Sequence, residues 1–82
     1  MSKKHTVTLF TKKGCHLCEK AKEVIDELQE RIGFIYEECD IEEKDEWTEA
    51  YGLKIPVVFI DGKEIQYGQI DKTIIKKALI YY

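Results

Sequence analysis

Two cysteines separated by two residues are the part of this chain best suited to chemistry. Cys15 and Cys18 follow a β-branched and apolar run at 6–11 and precede a helix-like run at 19–32. Backbone N–H groups at a helix start are unpaired and carry the positive end of the helix dipole, so they stabilise a thiolate, the form that attacks disulfides. Residues three apart on a helix share a face, which lets Cys18 reach the sulfur of Cys15. The pair can therefore close into a disulfide and reopen, with Cys15 expected to be the more exposed thiol.

Metal binding is the competing interpretation of the same pair. A structural zinc site needs about four ligands. His5, His16 and Cys39 are available, but the sequence has no second closely spaced pair. We therefore favour redox chemistry, and we expect Cys39, within a predicted strand, to be a small core residue.

Length and composition restrict the class of protein. The 82 residues suffice for one small domain, 1–82, which we expect to be a monomer. A net charge of −3 gives no basic surface for nucleic acid, and the longest apolar run, 55–60, is far too short for a membrane span. Three cysteines do not make the disulfide framework of a secreted domain, so we expect a reducing cytoplasm.

The apolar periodicity predicts seven elements in the order β-α-β-α-β-β-α. The strands are predicted at 6–11, 34–41, 55–60 and 63–67, and the helices at 15–31, 42–51 and 72–80. Asp61-Gly62 is a two-residue hairpin signal, and Asp71 can cap the last helix. We expect an α/β fold in which the two crossovers give parallel strands, the hairpin adds an antiparallel edge, and helices flank a four-stranded mixed sheet.

Two helices have a predicted apolar face toward the sheet. In the first helix its members are Leu17, Ala21, Val24, Ile25, Leu28 and Ile32, and in the last helix they are Ile74, Ile75, Ala78 and Leu79.

The combination of these features resembles the thioredoxin fold, and within it the glutaredoxins and glutaredoxin-like proteins. The matching pieces are Val7 to Lys12, Cys15 to Cys18, and Ile55 to Gly62, which together span most of the chain. The resemblance implies that Cys15 is the nucleophile and Cys18 the resolving thiol. It also implies that Lys12 favours the thiolate and that Pro56 is a cis-proline facing the thiols. The backbone of Ile55 would pair with the substrate.

The sequence departs from the glutaredoxin pattern at two places. Glutaredoxins usually carry Pro and an aromatic residue between the cysteines, where this chain has His16 and Leu17. They also carry a Gly-Gly pair where the backbone meets glutathione, and here Tyr67 precedes the single Gly68. We keep Tyr67, Gly68 and Asp71 as candidate substrate-binding residues, and the bulk of Tyr67 predicts weak glutathione binding.

We therefore expect a thiol-disulfide oxidoreductase that works without a bound metal or organic cofactor. Its substrates would be disulfide-bearing proteins or glutathione mixed disulfides. Glutathione is the candidate co-substrate, and either it or a flavin reductase would supply electrons. Two alternatives stay open. One is a module that binds zinc or an iron–sulfur cluster on Cys15, including one shared between two subunits. The other is an electron carrier dedicated to one partner enzyme and reduced by a thioredoxin reductase.

Overall fold

Strands and helices alternate along the chain in the predicted order. The computed structural model describes residues 4–81, so residues 1–3 and 82 of the predicted domain lie outside it. The strands are β1 (Thr6–Thr11), β2 (Ile35–Asp40), β3 (Val57–Ile60) and β4 (Lys63–Tyr67). The helices are α1 (His16–Arg31), α2 (Asp45–Tyr51) and α3 (Lys72–Tyr81), and a short 3₁₀ turn, Ile41–Glu43, precedes α2.

One mixed sheet with the strand order β2-β1-β3-β4 organises the molecule. β1 and β2 are parallel, as expected from the α1 crossover, but β3 is antiparallel to β1. The expectation that the second crossover also gives a parallel strand is therefore wrong. α2 has seven residues, about 10 Å of helix. It is too short to carry the chain back to the end of the sheet where β1 and β2 begin. β3 therefore starts at the opposite end, where β2 finishes, and runs antiparallel to β1.

The Asp61-Gly62 dipeptide makes the hairpin between β3 and β4, as predicted. Both residues have positive φ, 52° and 81°, which a two-residue type I′ turn requires. The Asp61 carboxylate also accepts a hydrogen bond from the backbone N–H of Thr6, 2.9 Å away, and contacts the ring of His5. Asp61 therefore links the turn to the start of β1. His5, one of the possible metal ligands in the sequence, is partly buried and paired with Asp61.

The core lies on both faces of the sheet. On one face α1 and α3 pack on the sheet. Ten residues are buried in this layer: Val7, Leu9, Ala21, Ile25, Leu28, Phe34, Val58, Ile60, Ile75 and Leu79. On the other face Phe10, Ile41 and Val57 form a smaller cluster under α2. The Phe10 ring stacks on Tyr51 with 4.5 Å between centroids. This aromatic packing fixes the short, polar α2, which buries no residue completely.

Two predicted members of the helix faces are exposed. Leu17 is 43% exposed, whereas Cys18 is only 1% exposed and fills the inward position of the first turn of α1. The apolar pattern missed this because Cys18 was assigned to chemistry and not to the core. Ile74 is 45% exposed, because it lies at the margin of α3 where a groove of about 470 Å³ separates this helix from β4.

Candidate functional site

The thiols lie where the chain passes from β1 into α1. Lys12 and Lys13 lead out of the strand, and Gly14 adopts φ +79°, a conformation that a side chain would strain. The N–H of Cys15 then donates to the carbonyl of Lys12 at 3.4 Å. This tight turn ends with Cys15 at the N-cap of α1.

Cys15 and Cys18 face each other across the first turn of the helix. The backbone N–H of Cys18 donates to Sγ of Cys15, 3.2 Å away. Cys15 is partly exposed beside a shallow depression of about 220 Å³ that Gly14, His16 and Glu19 also line. Cys18 is buried beneath it. An incoming disulfide can therefore reach Cys15 but not Cys18, which is the difference in exposure that the sequence predicts.

Burial dominates the electrostatics of the second thiol. It raises the pKa of Cys18 to about 11, and the hydrogen bond and negative charge of Cys15 act in the same direction. A backbone hydrogen bond from Lys12 and the positive charge of Lys22 lower the pKa of Cys18 in part. Cys18 is thus a protonated thiol at neutral pH.

The only proline of the sequence lies at the same end of the sheet. The Ile55–Pro56 bond is cis, and Pro56 is buried. Because Phe10 pairs with Val57, the chain before β3 lies beside the chain that leaves β1 toward the thiols. The Ile55 N–H already donates to the carbonyl of Tyr51 at 3.1 Å. Within residues 4–81, no group donates to the Ile55 carbonyl, so half of its backbone is open for pairing.

Lys12 borders a groove that sequence reasoning did not find. The groove has a volume of about 490 Å³ and runs between the thiol loop and α2. Its lining includes the carboxylates of Glu42 and Asp45 and the fully exposed Leu53. The surrounding stretch, 37–49, contains eight of the 16 acidic residues and a single lysine. This charge run was the signal available in the sequence.

Tyr67, Gly68 and Asp71 form the turn from β4 into α3. The Tyr67 ring is 56% exposed, and Nζ of Lys54 lies 4.6 Å from its centroid. Gly68 has φ +76°, and its N–H donates to the Pro56 carbonyl at 2.8 Å. This bond ties the turn to the cis-proline segment.

Asp71 caps α3, as predicted. Its Oδ1 accepts from the N–H of Thr73 at 2.8 Å, and its own N–H donates to Oε1 of Gln66, also at 2.8 Å. One carboxylate oxygen and the N–H of Asp71 therefore already have partners within the protein.

Cys39 lies apart from the Cys15–Cys18 pair. It is half-buried on β2 and packs against the cluster under α2. Burial, followed by the charges of Glu37 and Glu43, raises the pKa of this thiol. Among residues 4–81 there is no group of three or more His, Cys, Asp or Glu side chains placed to hold a metal ion. The helices described in this range are also too short or too polar to cross a membrane.

Comparisons with known proteins agree with this geometry. A solution structure of a Nitrosomonas europaea protein is 26% identical and superposes with a TM-score of 0.83 over 96% of this chain and 95% of that one. A crystal structure from X. campestris is 28% identical, with a TM-score of 0.75 over 93% and 97% of the two chains. A Halobacterium salinarum thioredoxin is 22% identical, with a TM-score of 0.74 over 95% and 74% of the two chains, and shares the fold.

Sequence relatives point the same way. An uncharacterized protein of Mycobacterium tuberculosis is 30% identical over 71 residues, which are 80% of this chain and 73% of that protein. The model of the Glutaredoxin-like domain (DUF836) matches residues 6–80. With a thioredoxin-like sheet, a cis-proline and a Cys-x-x-Cys pair at the start of α1, the chain belongs to the glutaredoxin-like domain family.

Proposed function

We propose that this protein is a dithiol oxidoreductase that reduces disulfides through Cys15 and Cys18. The observation that carries the proposal is the 3.2 Å hydrogen bond from the Cys18 N–H to Sγ of Cys15, with Cys18 buried below. This bond directs a helix-start N–H group, at the positive end of the helix dipole, toward the sulfur that attacks the substrate in this proposal. The proposed nucleophile, Cys15, is partly exposed, and the proposed resolving thiol, Cys18, is buried one helical turn away.

The reaction has two exchange steps. The Cys15 thiolate attacks one sulfur of the substrate disulfide, forms a mixed disulfide and expels the other sulfur as a thiolate. Cys18 then loses its proton and attacks Sγ of Cys15, which breaks the mixed disulfide and releases the second substrate thiolate. The substrate gains two electrons, and the protein is left with a Cys15–Cys18 disulfide that an external reductant must reopen.

The first step prepares the second. Two of the contributions that raise the pKa of Cys18 come from Cys15: its hydrogen bond and its negative charge. Both depend on the free Cys15 sulfur, which becomes a neutral disulfide sulfur in the mixed disulfide. Cys18 thus becomes more acidic when its thiolate is needed.

Variants in which one cysteine at a time is replaced by serine test the proposal. Cys15→Ser should abolish disulfide reduction, whereas Cys18→Ser should still form a mixed disulfide and then stall. Mass spectrometry of the stalled adduct and release of a chromogenic thiol measure the two steps. Equal labelling of the two thiols by iodoacetamide at neutral pH would contradict the assigned roles.

Weak glutathione binding is part of the proposal. Glutathione is anionic, and the groove beside Lys12 contains the carboxylates of Glu42 and Asp45, which would repel it. The start of α3 offers little compensation because the N–H of Asp71 is already bonded to Gln66. We propose that a flavin reductase is the more efficient electron donor, and that disulfide-bearing proteins are the substrates.

Two measurements test the electron donor. Turnover with glutathione as the reductant should be slower than turnover with thioredoxin reductase. A chemical-shift titration of Cys18→Ser with oxidised glutathione should show weak changes. Saturable shifts at low ligand concentration around Ile55, Tyr67 and Asp71 would mean that this is an ordinary glutathione-dependent glutaredoxin.

A further inference from the structure

Lys22 lies on α1 one turn after Cys18, so both side chains leave the same side of the helix. Its side chain is 33% exposed, and its Nζ lies 3.3 Å from Oε2 of Glu38 on β2. Glu38 is aligned with the buried Leu9 in the parallel pairing of β1 and β2, on the sheet face that α1 covers. The ion pair therefore joins α1 to the edge strand on the side of the helix that holds the buried thiol.

The carboxylate of Glu38 is fixed at both oxygens. Its Oε1 accepts a hydrogen bond from the hydroxyl of Tyr36 at 3.0 Å, while Oε2 pairs with Lys22. Tyr36 is half-buried and packs against the core under α1. A carboxylate held in this way limits where the flexible Lys22 side chain can place its charge.

The charged groups around Cys18 act in opposite directions. Burial and Cys15 oppose ionisation of Cys18, whereas the charge of Lys22 and the backbone of Lys12 favour it. The hydrogen bond to Glu38, followed by the charges of Glu38, Glu19 and Cys18, raises the pKa of Lys22 against the effect of burial. The Lys22 ammonium is therefore present throughout the neutral range.

We propose that Lys22, held in place by Glu38, stabilises the Cys18 thiolate that resolves the mixed disulfide. The inference rests on the proposed dithiol reaction and concerns its second step. Once Cys15 is in the mixed disulfide, its contributions to Cys18 are gone, and burial is opposed by Lys22 and the Lys12 backbone. Cys18 releases its proton to solvent, and its thiolate forms the Cys15–Cys18 bond as the substrate thiolate leaves. Lys22 acts through the Cys18 sulfur and is not itself a reacting group.

A protein with one thiol tests this directly. In Cys15→Ser/Cys39→Ser, thiolate absorbance against pH reports Cys18 alone, after subtraction of a thiol-free variant that carries the same tyrosines. Adding Lys22→Gln should raise the Cys18 midpoint by about half a pH unit, which corresponds to roughly threefold less thiolate below the midpoint. Lys22→Arg should keep the original midpoint.

Lys20→Gln is the matched control, because Lys20 is an exposed lysine on the same helix. It should leave the midpoint unchanged. Equal shifts with Lys20→Gln and Lys22→Gln, or no shift with either, would overturn the proposal. If the wild-type protein reduced no disulfide, the proposed function would be refuted, but the measured effect of Lys22 on the Cys18 midpoint would still stand.

Kinetics separate an electrostatic role from a structural one. Lys22→Gln should slow resolution of a preformed mixed disulfide about threefold at neutral pH, and its pH–rate profile should move to higher pH by the shift found in the titration. Attack by Cys15, measured in Cys18→Ser with and without Lys22→Gln, should be unaffected. Slowing by the same factor at every pH, including above the midpoint, would show that Lys22 acts on the fold and not on the Cys18 thiolate.

Discussion

Raising the pH of the reduced protein should destabilise the fold through Cys18. The pKa of this thiol is about 11 in the native protein against an ordinary value of 9.0, with burial as the main cause. Below pH 9 the thiol is protonated in both the folded and the unfolded chain. As the pH rises above 9, the unfolded chain ionises while the folded chain holds its proton, so stability is lost until the pH reaches the folded pKa.

The size of this loss follows from the shift. Each pKa unit corresponds to about 1.36 kcal/mol, so a difference of about two units predicts a loss of about 2–3 kcal/mol between pH 9 and 11. For a small domain this moves the urea midpoint by roughly 1–3 M. Because Cys18 is only 1% exposed, solvent screening reduces the effect little.

Urea unfolding at about pH 8 and about pH 11 measures the effect, with Cys18→Ser as the control. Lysines and tyrosines also titrate in this range, including Tyr36, whose pKa is raised chiefly by burial. These groups are common to both proteins, so the contribution of Cys18 is the difference between the two. A wild-type minus Cys18→Ser difference that stays constant from pH 8 to 11 would refute the account of Cys18 given above.

Three substitutions test the packing that supports the site. Leu28→Ala should cost about 2–5 kcal/mol in unfolding free energy, because Leu28 is completely buried; the exposed Glu30→Ala should change it by less than about 0.5 kcal/mol, and a similar melting temperature for both would contradict the assigned helix face. Gly52→Ala should cost about 1–3 kcal/mol, because a Cβ there would lie 2.5 Å from the carbonyl oxygen of Thr48; an unchanged urea midpoint would argue against it. Asp71→Ala should lose about 1 kcal/mol by removing the cap of α3, seen as a lower melting temperature, and a stability equal to wild type would mean that the cap contributes nothing.

Features determined by neighbours in the chain could be predicted from sequence. β4 has the predicted bounds, and the Asp61-Gly62 turn forms because glycine tolerates positive φ and aspartate visits this region more readily than most residues. The thiols lie at the predicted end of a helix because the strand-to-helix change was readable from the apolar pattern. Asp71 caps α3 for the same local reason.

Features that depend on contacts between distant segments could not be predicted in this way. The direction of β3 follows from where the chain re-enters the sheet, and no apolar pattern states this. The pairing of Lys22 with Glu38 joins a helix to a strand 16 residues later, and it becomes visible only when α1 lies on the sheet. Glu42 and Asp45 likewise line a groove with Lys12 only because the chain folds so that α2 lies next to the thiol loop.

If a substrate segment pairs with Ile55, as the resemblance to glutaredoxins implies, it would meet only a backbone acceptor there, because the Ile55 N–H is already bonded to Tyr51. A residue that offers both a donor and an acceptor imposes a register and a direction on the strand that pairs with it. A single acceptor imposes neither, so a segment could lie across the thiols with either N-to-C polarity. Polarity would then be set by the side chains that flank the disulfide. A disulfide joins two chain segments, and a site of this kind would be able to engage it from whichever of the two is accessible.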